Sequence, residues 1–199
     1  KWFGDQVVIY GNLYYQNTQS HDELAPSATG DFQTAGQVTI AIPPHTNMNG
    51  VVPPGAPTYE ATGLPPDSFN PNNPFNQIIS GGSRARLLEF GNRLIDNTTD
   101  AFLSTIGVRG DKLFDGTWGY DGGFRYSNVK ATSASSQTST SRFNKIINQA
   151  DAVFQPGGAL AGGTAFNPFG DAEGGGTIAT NVADVNFAVV HPKDVDTSE

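Results

Sequence analysis

The sequence predicts an all-β fold, namely a fragment of a large antiparallel transmembrane β-barrel with long extracellular loops that carry short helices. Three observations lead to this prediction. Two segments alternate with the period of a β-strand, and the second places aromatic residues on one face only. A proline-rich stretch between them is too long for a loop in a compact domain. Charged residues make up only 15 % of the chain, against about 25 % in typical globular domains.

The first predicted strand covers residues 6–16, with the sequence QVVIYGNLYYQ. β-branched and aromatic residues dominate it, and its even positions become polar from Asn12 to Gln16. Its 11 residues match the roughly 9–11 that a tilted strand needs to cross a bilayer. We therefore interpret this segment as a membrane strand with one polar face.

Residues 17–97 are predicted to form the first long loop. Nine of the 13 prolines fall between Pro43 and Pro74. Proline lacks the backbone donor that a central strand needs, so only local pairing is expected here, over residues 37–42. A loop of this length is ordinary on the rim of an outer-membrane barrel.

The next strands are predicted at residues 98–110 and 117–128, joined by a short connection at 111–116. In the second strand the even positions are mostly aromatic, and the odd positions are glycine, aspartate, arginine or serine. Such a pattern is typical of a strand with lipid on one side and water on the other. Two long loops on the same side of a membrane require an even number of strands between them. We therefore interpret residues 84–95 as an extension above the membrane that pairs locally after Asp96-Asn97.

Residues 129–199 are predicted to form the second long loop, which carries small helices. Residues 142–154 place apolar side chains at helical spacing, and Pro156-Gly157 ends that pattern. A shorter helical turn is expected from Ile178 to Val189.

Composition excludes several kinds of function. The chain has no cysteine, and its formal net charge is -8. These features argue against thiolate metal sites and against a nucleic-acid partner, which needs a clustered basic face. His21, His45 and His191 are far apart in predicted loops, so no metal site is expected. No catalytic motif is present, and we expect neither an enzyme nor a cofactor.

Five residues are candidates for contact with a ligand. Asn12, Asp121 and Arg125 are predicted to lie on the wet face of the strands. Asp121 and Arg125 either form part of a polar network on the barrel wall or contact a solute or plug. Phe75 and Phe169 each follow an Asn-Pro pair, so they either anchor a turn in a hydrophobic pocket or face a ligand.

The chain resembles part of a TonB-dependent receptor, in particular the large barrels that take up carbohydrates or siderophores in Gram-negative bacteria. The similar residues extend over nearly the whole chain. They are FGD at 3–5, YGNLYY at 10–15, LAP at 24–26, EFGNR at 89–93, IGVRG at 106–110, GTWGY at 116–120 and AFNPFG at 165–170.

This resemblance implies a barrel of roughly 22 strands in the outer membrane, closed by a plug. It implies import of a scarce solute, such as a siderophore or a glycan, driven by a TonB-type energy-transducing complex of the inner membrane. Outer-membrane lipid and a surface lipoprotein are further partners that it suggests. No plug, energy-coupling box or closing strand is recognisable, so the chain is expected to be a middle segment of a longer protein. The alternative hypothesis is a secreted β-rich carbohydrate-binding or adhesin module.

Overall fold

The computed structural model describes residues 7–27, 41–80, 87–113, 118–169 and 182–198, without the side chains of residues 111–113. This part of the chain is mostly antiparallel β-sheet with few helices, which confirms the all-β prediction. The strands are β1 Val8–Leu24, β2 Arg93–Leu113, β3 Trp118–Thr138, β4 Val189–Val190 and β5 Lys193–Ser198. The helices are α1 Tyr59–Thr62, α2 Thr140–Ile146 and α3 Val182–Ala188, with 3-10 turns at Leu88–Phe90 and Ala152–Phe154.

The five strands form one sheet in the order β1-β2-β3-β4, and β5 also pairs with β3. β4 and β5 are both antiparallel to β3. β4 lies opposite Gln137 and Thr138, whereas β5 lies opposite the segment from Val129 to Ala134. The sheet that these described strands form is not closed.

All three long strands extend beyond their predicted ends. β1 continues past residue 16 to Leu24, β2 begins at Arg93 and ends at Leu113, and β3 continues past residue 128 to Thr138. This corrects the predicted loops 17–97 and 129–199, which begin or end inside strands. The additional residues of β1 and β3 are mostly polar on both faces, and those of β2 include the adjacent apolar pair Leu94-Ile95, so none of these extensions shows a regular alternation of hydrophobicity. Polar cross-strand contacts hold them instead, such as the His21 Nδ1 to Asp96 Oδ1 contact of 2.5 Å.

Of the segment 84–95, the described residues 87–95 do not form the separate, locally paired extension that was predicted. Residues 84–86 lie outside the described part of the chain, and a 3-10 turn covers Leu88–Phe90. Gly91 then adopts a left-handed φ of 69°, which lets the chain turn into β2. Asp96-Asn97, interpreted as a boundary, lies within β2.

The helical predictions are partly corrected. Residues 142–154 are not one helix, because α2 ends at Ile146 and the segment from Ala152 forms a 3-10 turn. Between them the Asn148 side chain accepts a hydrogen bond from the Ala150 N–H and competes with a continuous helix. α3 lies within the second predicted turn, but Ile178 lies outside the described residues. Of the predicted pairing segment 37–42, the described part contains a bridge from Ile42 to Ile79.

The chain divides into two compact units. The first, which we call the strand unit, is Lys1–Asp22, Ile95–Ser135 and Pro192–Glu199. The second, which we call the loop unit, is Glu23–Leu94 and Ser136–His191. The strand unit contains most of the three long strands together with β5. The loop unit contains the helices, the proline-rich segment and β4.

The loop unit has a conventional hydrophobic core. At its centre the rings of Phe90, Phe143 and Phe166 pack edge to face or tilted, with centroids 5.3–5.8 Å apart. Each buried ring of this kind contributes about 1.5–3 kcal/mol from removal of apolar surface from water. A smaller cluster packs Tyr59 and Ile78 together in the proline-rich segment.

Buried asparagines connect the irregular segments of the loop unit. The Asn70 amide donates to the carbonyl oxygens of Ile147 at 2.9 Å and Phe166 at 3.0 Å. The Asn73 amide donates to the carbonyl oxygen of Pro43 at 2.7 Å. Loop backbone that leaves water must find hydrogen-bond partners, and these side chains supply them where no sheet or helix can.

Candidate functional site

The strand unit has two chemically distinct faces. Side chains alternate along each strand, and the cross-strand contacts show which positions share a face. Phe102 of β2 packs near Tyr126 of β3, with ring centroids 6.3 Å apart. We call this side, with odd positions of β1 and even positions of β2 and β3, the apolar face. The opposite side is the polar face, where the Asn97 side chain lies 3.4 Å from the Ser20 hydroxyl.

A band of large hydrophobic side chains is exposed on the apolar face. Leu13 exposes 74 % of its surface, and Trp118 and Phe124 each expose 67 %. The other exposed members are Ile9, Tyr15, Ile106, Val108 and Tyr126. From Trp118 to Tyr126 the band is about 26 Å long, at about 3.3 Å per strand residue. Large exposed apolar patches are typical of surfaces that contact lipid or another protein.

The same face becomes polar beyond this band. The Tyr15 hydroxyl donates to Asp100 at 2.8 Å, and the Asn17 amide donates to the same carboxylate oxygen at 2.7 Å. Further along lies the contact between His21 and Asp96. The change from apolar to polar therefore occurs at Tyr15, an aromatic residue with a polar tip that suits an interface between lipid and water.

The polar face is organised around Tyr10. Its hydroxyl donates to the Asp121 carboxylate at 2.7 Å, so the tyrosine side chain reaches from β1 across β2 to β3. The ring lies directly over Gly107, where an added Cβ would overlap its atoms. At Gly123 an added Cβ would lie 3.3 Å from the Tyr10 oxygen. The two glycines thus give the tyrosine room to lie along the sheet.

Asn12, Asp121 and Arg125, the candidates of the sequence analysis, all lie on this polar face and are exposed. Asp121 bonds to Tyr10, so it belongs to a polar network. Arg125 does not join that network, because it has no hydrogen bond or ion pair within the described part of the chain. Asn12 lies one position along the same face from Tyr10.

Phe75 and Phe169 lie in the loop unit and follow the same local geometry. The Asn73 side chain accepts from the Phe75 N–H at 3.0 Å, and the Asn167 side chain accepts from the Phe169 N–H at 3.0 Å. Both are Asx turns. Phe75 is 52 % exposed and Phe169 is 41 % exposed, so neither inserts into a hydrophobic pocket as an anchor. The anchor beside the second turn is Phe166, which is 1 % exposed.

No pattern in the sequence predicted that Tyr10, Gly107 and Gly123 form a group. A glycine inside a strand is a sign of close approach by another group, and that sign was present at both positions. The approaching group could not be named, because Tyr10 is about a hundred residues away in the sequence. Its position opposite Gly107 depends on the pairing of β1 with β2.

The loop unit also contains a pocket of about 300 Å³. Leu64 and Ile147 form apolar parts of its wall, and Asn144, Lys145 and Asp151 form polar parts. The Asp151 carboxylate already accepts from the Val153 N–H at 3.0 Å. Among the described residues, the Asn144 and Lys145 side chains in this wall have no hydrogen-bond partner.

Asp184 is the one carboxylate in the described loop unit that is almost fully buried, with 3 % of its surface exposed. Within the part of the chain that the structure describes, its Oδ2 atom has no hydrogen-bond partner. Burial away from water raises the pKa of Asp184 to about 7, because the charged form loses its hydration. This carboxyl group therefore gains charge only near neutral pH.

Within the described residues, no group of three or more His, Cys, Asp or Glu side chains is placed to hold a metal ion. No helix in that part of the chain is long and apolar enough to cross a membrane. Comparison with protein-family models, with curated proteins and with solved structures finds no match to the chain.

Proposed function

We propose that the chain is a segment of an energised outer-membrane receptor, similar to the TonB-dependent kind, that imports a scarce solute such as a siderophore or a glycan. The observation that carries this proposal is the exposed apolar band on one face of the strand unit. In a soluble β-sandwich, such a face would be turned to a core of branched aliphatic side chains.

The dimensions of the band fit a bilayer. Its length of about 26 Å along β3 is close to the apolar height of outer-membrane barrels, which is about 25 Å. Tyr15, Phe102 and Tyr126 lie where the face becomes polar, as aromatic residues do at the edge of such barrels. Lipid would remove the band from water, with a gain of about 1.5–3 kcal/mol for each large side chain that it covers.

The proposal makes the three long strands part of a large antiparallel transmembrane β-barrel. Open strand edges do not persist in lipid, because their backbone groups find no partners there. Further strands of the same barrel would therefore pair with the outer edge of β1 and with the first half of β3. The loops of the loop unit would lie outside the cell.

The polar face would line the passage for the solute. Asn12, Asp121 and Arg125 would be in contact with water or solute there, and Tyr10 would fix the Asp121 carboxylate. The exposed rings of Phe75 and Phe169 would contact the ligand outside, since aromatic faces suit both sugar rings and metal chelates. Energy would come from a TonB-type inner-membrane complex, and a surface lipoprotein is a further partner in this proposal.

The test compares two substitutions on opposite faces of β3 in the full-length protein. Trp118→Asp places a carboxylate on the face assigned to lipid, whereas Arg125→Ala removes a charge from the face assigned to water. We expect Trp118→Asp to reduce the heat-modifiable, membrane-integrated form several-fold and Arg125→Ala to leave it near the wild-type amount. The measurement is heat-modifiable mobility of the outer-membrane fraction.

Equal assembly of the two variants would contradict the assignment of faces. A soluble, monodisperse and strand-rich wild-type protein in the medium would contradict the whole proposal. That result would favour the alternative function, a secreted carbohydrate-binding or adhesin module.

A further inference from the structure

The pocket of the loop unit brings two opposite charges together within about 300 Å³. Lys145 and Asp151 both line it, and the charged groups of these two described residues do not form an ion pair with each other. The Asp151 Oδ1 atom accepts from the Val153 N–H at 3.0 Å. Neither the Lys145 ammonium nor the second Asp151 carboxylate oxygen has a hydrogen-bond partner in the described part of the chain. Both charged groups are therefore available to another molecule.

Two consecutive turns of the backbone hold these charged residues close together. The Asn148 N–H donates to the Lys145 carbonyl oxygen at 3.3 Å, and the Asp151 N–H donates to the Asn148 carbonyl oxygen at 3.0 Å. The first and last Cα atoms of one such turn are less than about 7 Å apart. The Cα atoms of Lys145 and Asp151 are therefore at most about 14 Å apart, a distance that the two side chains and one small molecule can span.

The apolar part of the wall is aliphatic and is held by the fold. Leu64 and Pro65 follow α1 in the chain, and Ile147, which exposes 1 % of its surface, follows α2. The Phe69 N–H donates to the Asn148 side-chain oxygen at 3.3 Å and so fixes the proline-rich segment to the chain after α2. None of the described residues that line the pocket is aromatic. The pocket is therefore pre-formed, with an aliphatic surface beside its charged groups.

The size of the pocket limits its occupant to a small molecule. Binding pockets for small ligands measure about 300–1,000 Å³, so this one is at the lower end of that range. One water molecule takes up about 30 Å³ in the liquid, which gives the pocket room for about ten non-hydrogen atoms. An α-amino acid with an aliphatic side chain, such as leucine, has about this size. Its carboxylate, its ammonium and its apolar side chain each match one part of the wall.

We propose that this pocket binds a free α-amino acid with an aliphatic side chain, as the zwitterion. Lys145 donates to the carboxylate of the ligand, Asn144 beside it supplies a further donor, and Asp151 accepts from the ammonium. Such charge-assisted hydrogen bonds are about twice as strong as neutral ones. Leu64 and Ile147 cover the aliphatic side chain. The inference goes beyond the proposed transport function and does not depend on it, because all these residues belong to the loop unit.

The experiment uses the full-length protein and leucine as the probe, with binding measured by isothermal titration calorimetry. The test variants are Lys145→Met, which removes the ammonium, and Asp151→Asn, which keeps an oxygen for the Val153 N–H but removes the negative charge. The matched controls are Lys193→Met and Asp194→Asn, since both residues are exposed and do not line the pocket. Isocaproate, which is leucine without its ammonium, and isoamylamine, which is leucine without its carboxylate, serve as further probes.

We expect each test variant to bind leucine about tenfold more weakly than the wild type, because each loses one charge-assisted contact. The two controls should stay within about twofold of the wild type, since distant exposed charges are screened by salt. Isocaproate should lose affinity in Lys145→Met and not in Asp151→Asn. Isoamylamine should lose affinity in Asp151→Asn and not in Lys145→Met. This crossed pattern assigns each charge of the ligand to one residue.

The inference is overturned by a wild type that does not bind leucine at about 10 mM or by equal losses in the test and control variants. Tighter binding of methyl glucoside than of leucine would also overturn it and would assign the pocket to a neutral sugar. Membrane fractionation of the same preparations separates this result from the proposed function. A membrane-integrated wild type without leucine binding would refute the amino-acid site alone, and a soluble wild type with lysine-dependent leucine binding would refute the transport proposal alone.

Discussion

The two units place their hydrophobic side chains in opposite ways. Every buried hydrophobic residue in the described part of the chain belongs to the loop unit, including Phe143, Ile146 and Phe166. The strand unit exposes its large hydrophobic residues, with Leu13 and Trp118 among them. The loop unit therefore buries its apolar side chains in an internal core, whereas the strand unit leaves its large apolar side chains exposed.

The largest expected effect tests the core of the loop unit. Phe166→Ala should destabilise this unit by about 3–5 kcal/mol, because it removes a ring that packs against both Phe90 and Phe143 and leaves a cavity. Phe169→Ala is the matched control, since Phe169 follows three residues later and is exposed. The measurement is urea unfolding, with the unfolding of the loop unit monitored by limited proteolysis at sites within that unit. Similar losses in the two variants would contradict the description of the core.

A second prediction concerns the pH dependence of the loop unit. Burial raises the pKa of Asp184 to about 7, above the roughly 3.9 of an aspartate in an unfolded chain. As the pH rises, the carboxyl group of Asp184 therefore loses its proton at a lower pH in the unfolded chain than in the folded one. The stability contributed by the neutral carboxyl group is present below about pH 4 and is lost as the pH rises to about 7.

Asp184→Asn should remove this loss and make the loop unit more stable than wild type at pH 8, by at most about 4 kcal/mol. The measurement is the urea midpoint of the two proteins at pH 5 and pH 8. Asp194→Asn, an exposed carboxylate of the strand unit, controls for the loss of one charge. A difference between wild type and Asp184→Asn that does not grow with pH would contradict the buried position of this carboxylate.

The smallest expected effect lies on the polar face of the strand unit. Gly107→Ala places a methyl group against the Tyr10 ring, so the tyrosine must move away from Asp121. Gly122→Ala is the control, because an added Cβ meets no atom within 4 Å there. We expect Gly107→Ala to lower the thermal midpoint of the folded protein by a few degrees, which corresponds to about 1 kcal/mol. Equal midpoints for the two variants would show that Tyr10 does not pack over Gly107.

The sequence predicted strands where the two faces differ and missed them where the faces are alike. Between Trp118 and Tyr126 the alternation of aromatic and small or charged residues is visible without a structure. Beyond residue 16 of β1 and residue 128 of β3, both faces are mostly polar, so the two-residue period of a strand produces no regular alternation of hydrophobicity. Pairing there depends on hydrogen bonds between distant residues, which local sequence does not encode.

In the loop unit, too, some features were predictable from the sequence and others were not. Prolines correctly indicated a segment without long strands, because each removes a backbone donor. The buried roles of Asn70 and Asn73 were not predictable, since the run FNPNNPFN is also typical of solvated turns. Their burial depends on carbonyl groups supplied by residues as distant as Phe166. The sequence predicted the chemical type of the candidate ligand residues, but it did not predict which groups their side chains contact.

The central proposal is that the two faces of the strand unit meet different solvents, and one pair of neighbouring residues tests this directly. Asn12 and Leu13 point to opposite faces of β1, and the chain has no cysteine that would compete for a label. Asn12→Cys and Leu13→Cys are labelled with an environment-sensitive fluorophore in the protein reconstituted into bilayers. Nitroxide lipids should quench the label at Leu13→Cys, and aqueous iodide should quench the label at Asn12→Cys. Quenching of both labels by iodide alone would contradict the proposal.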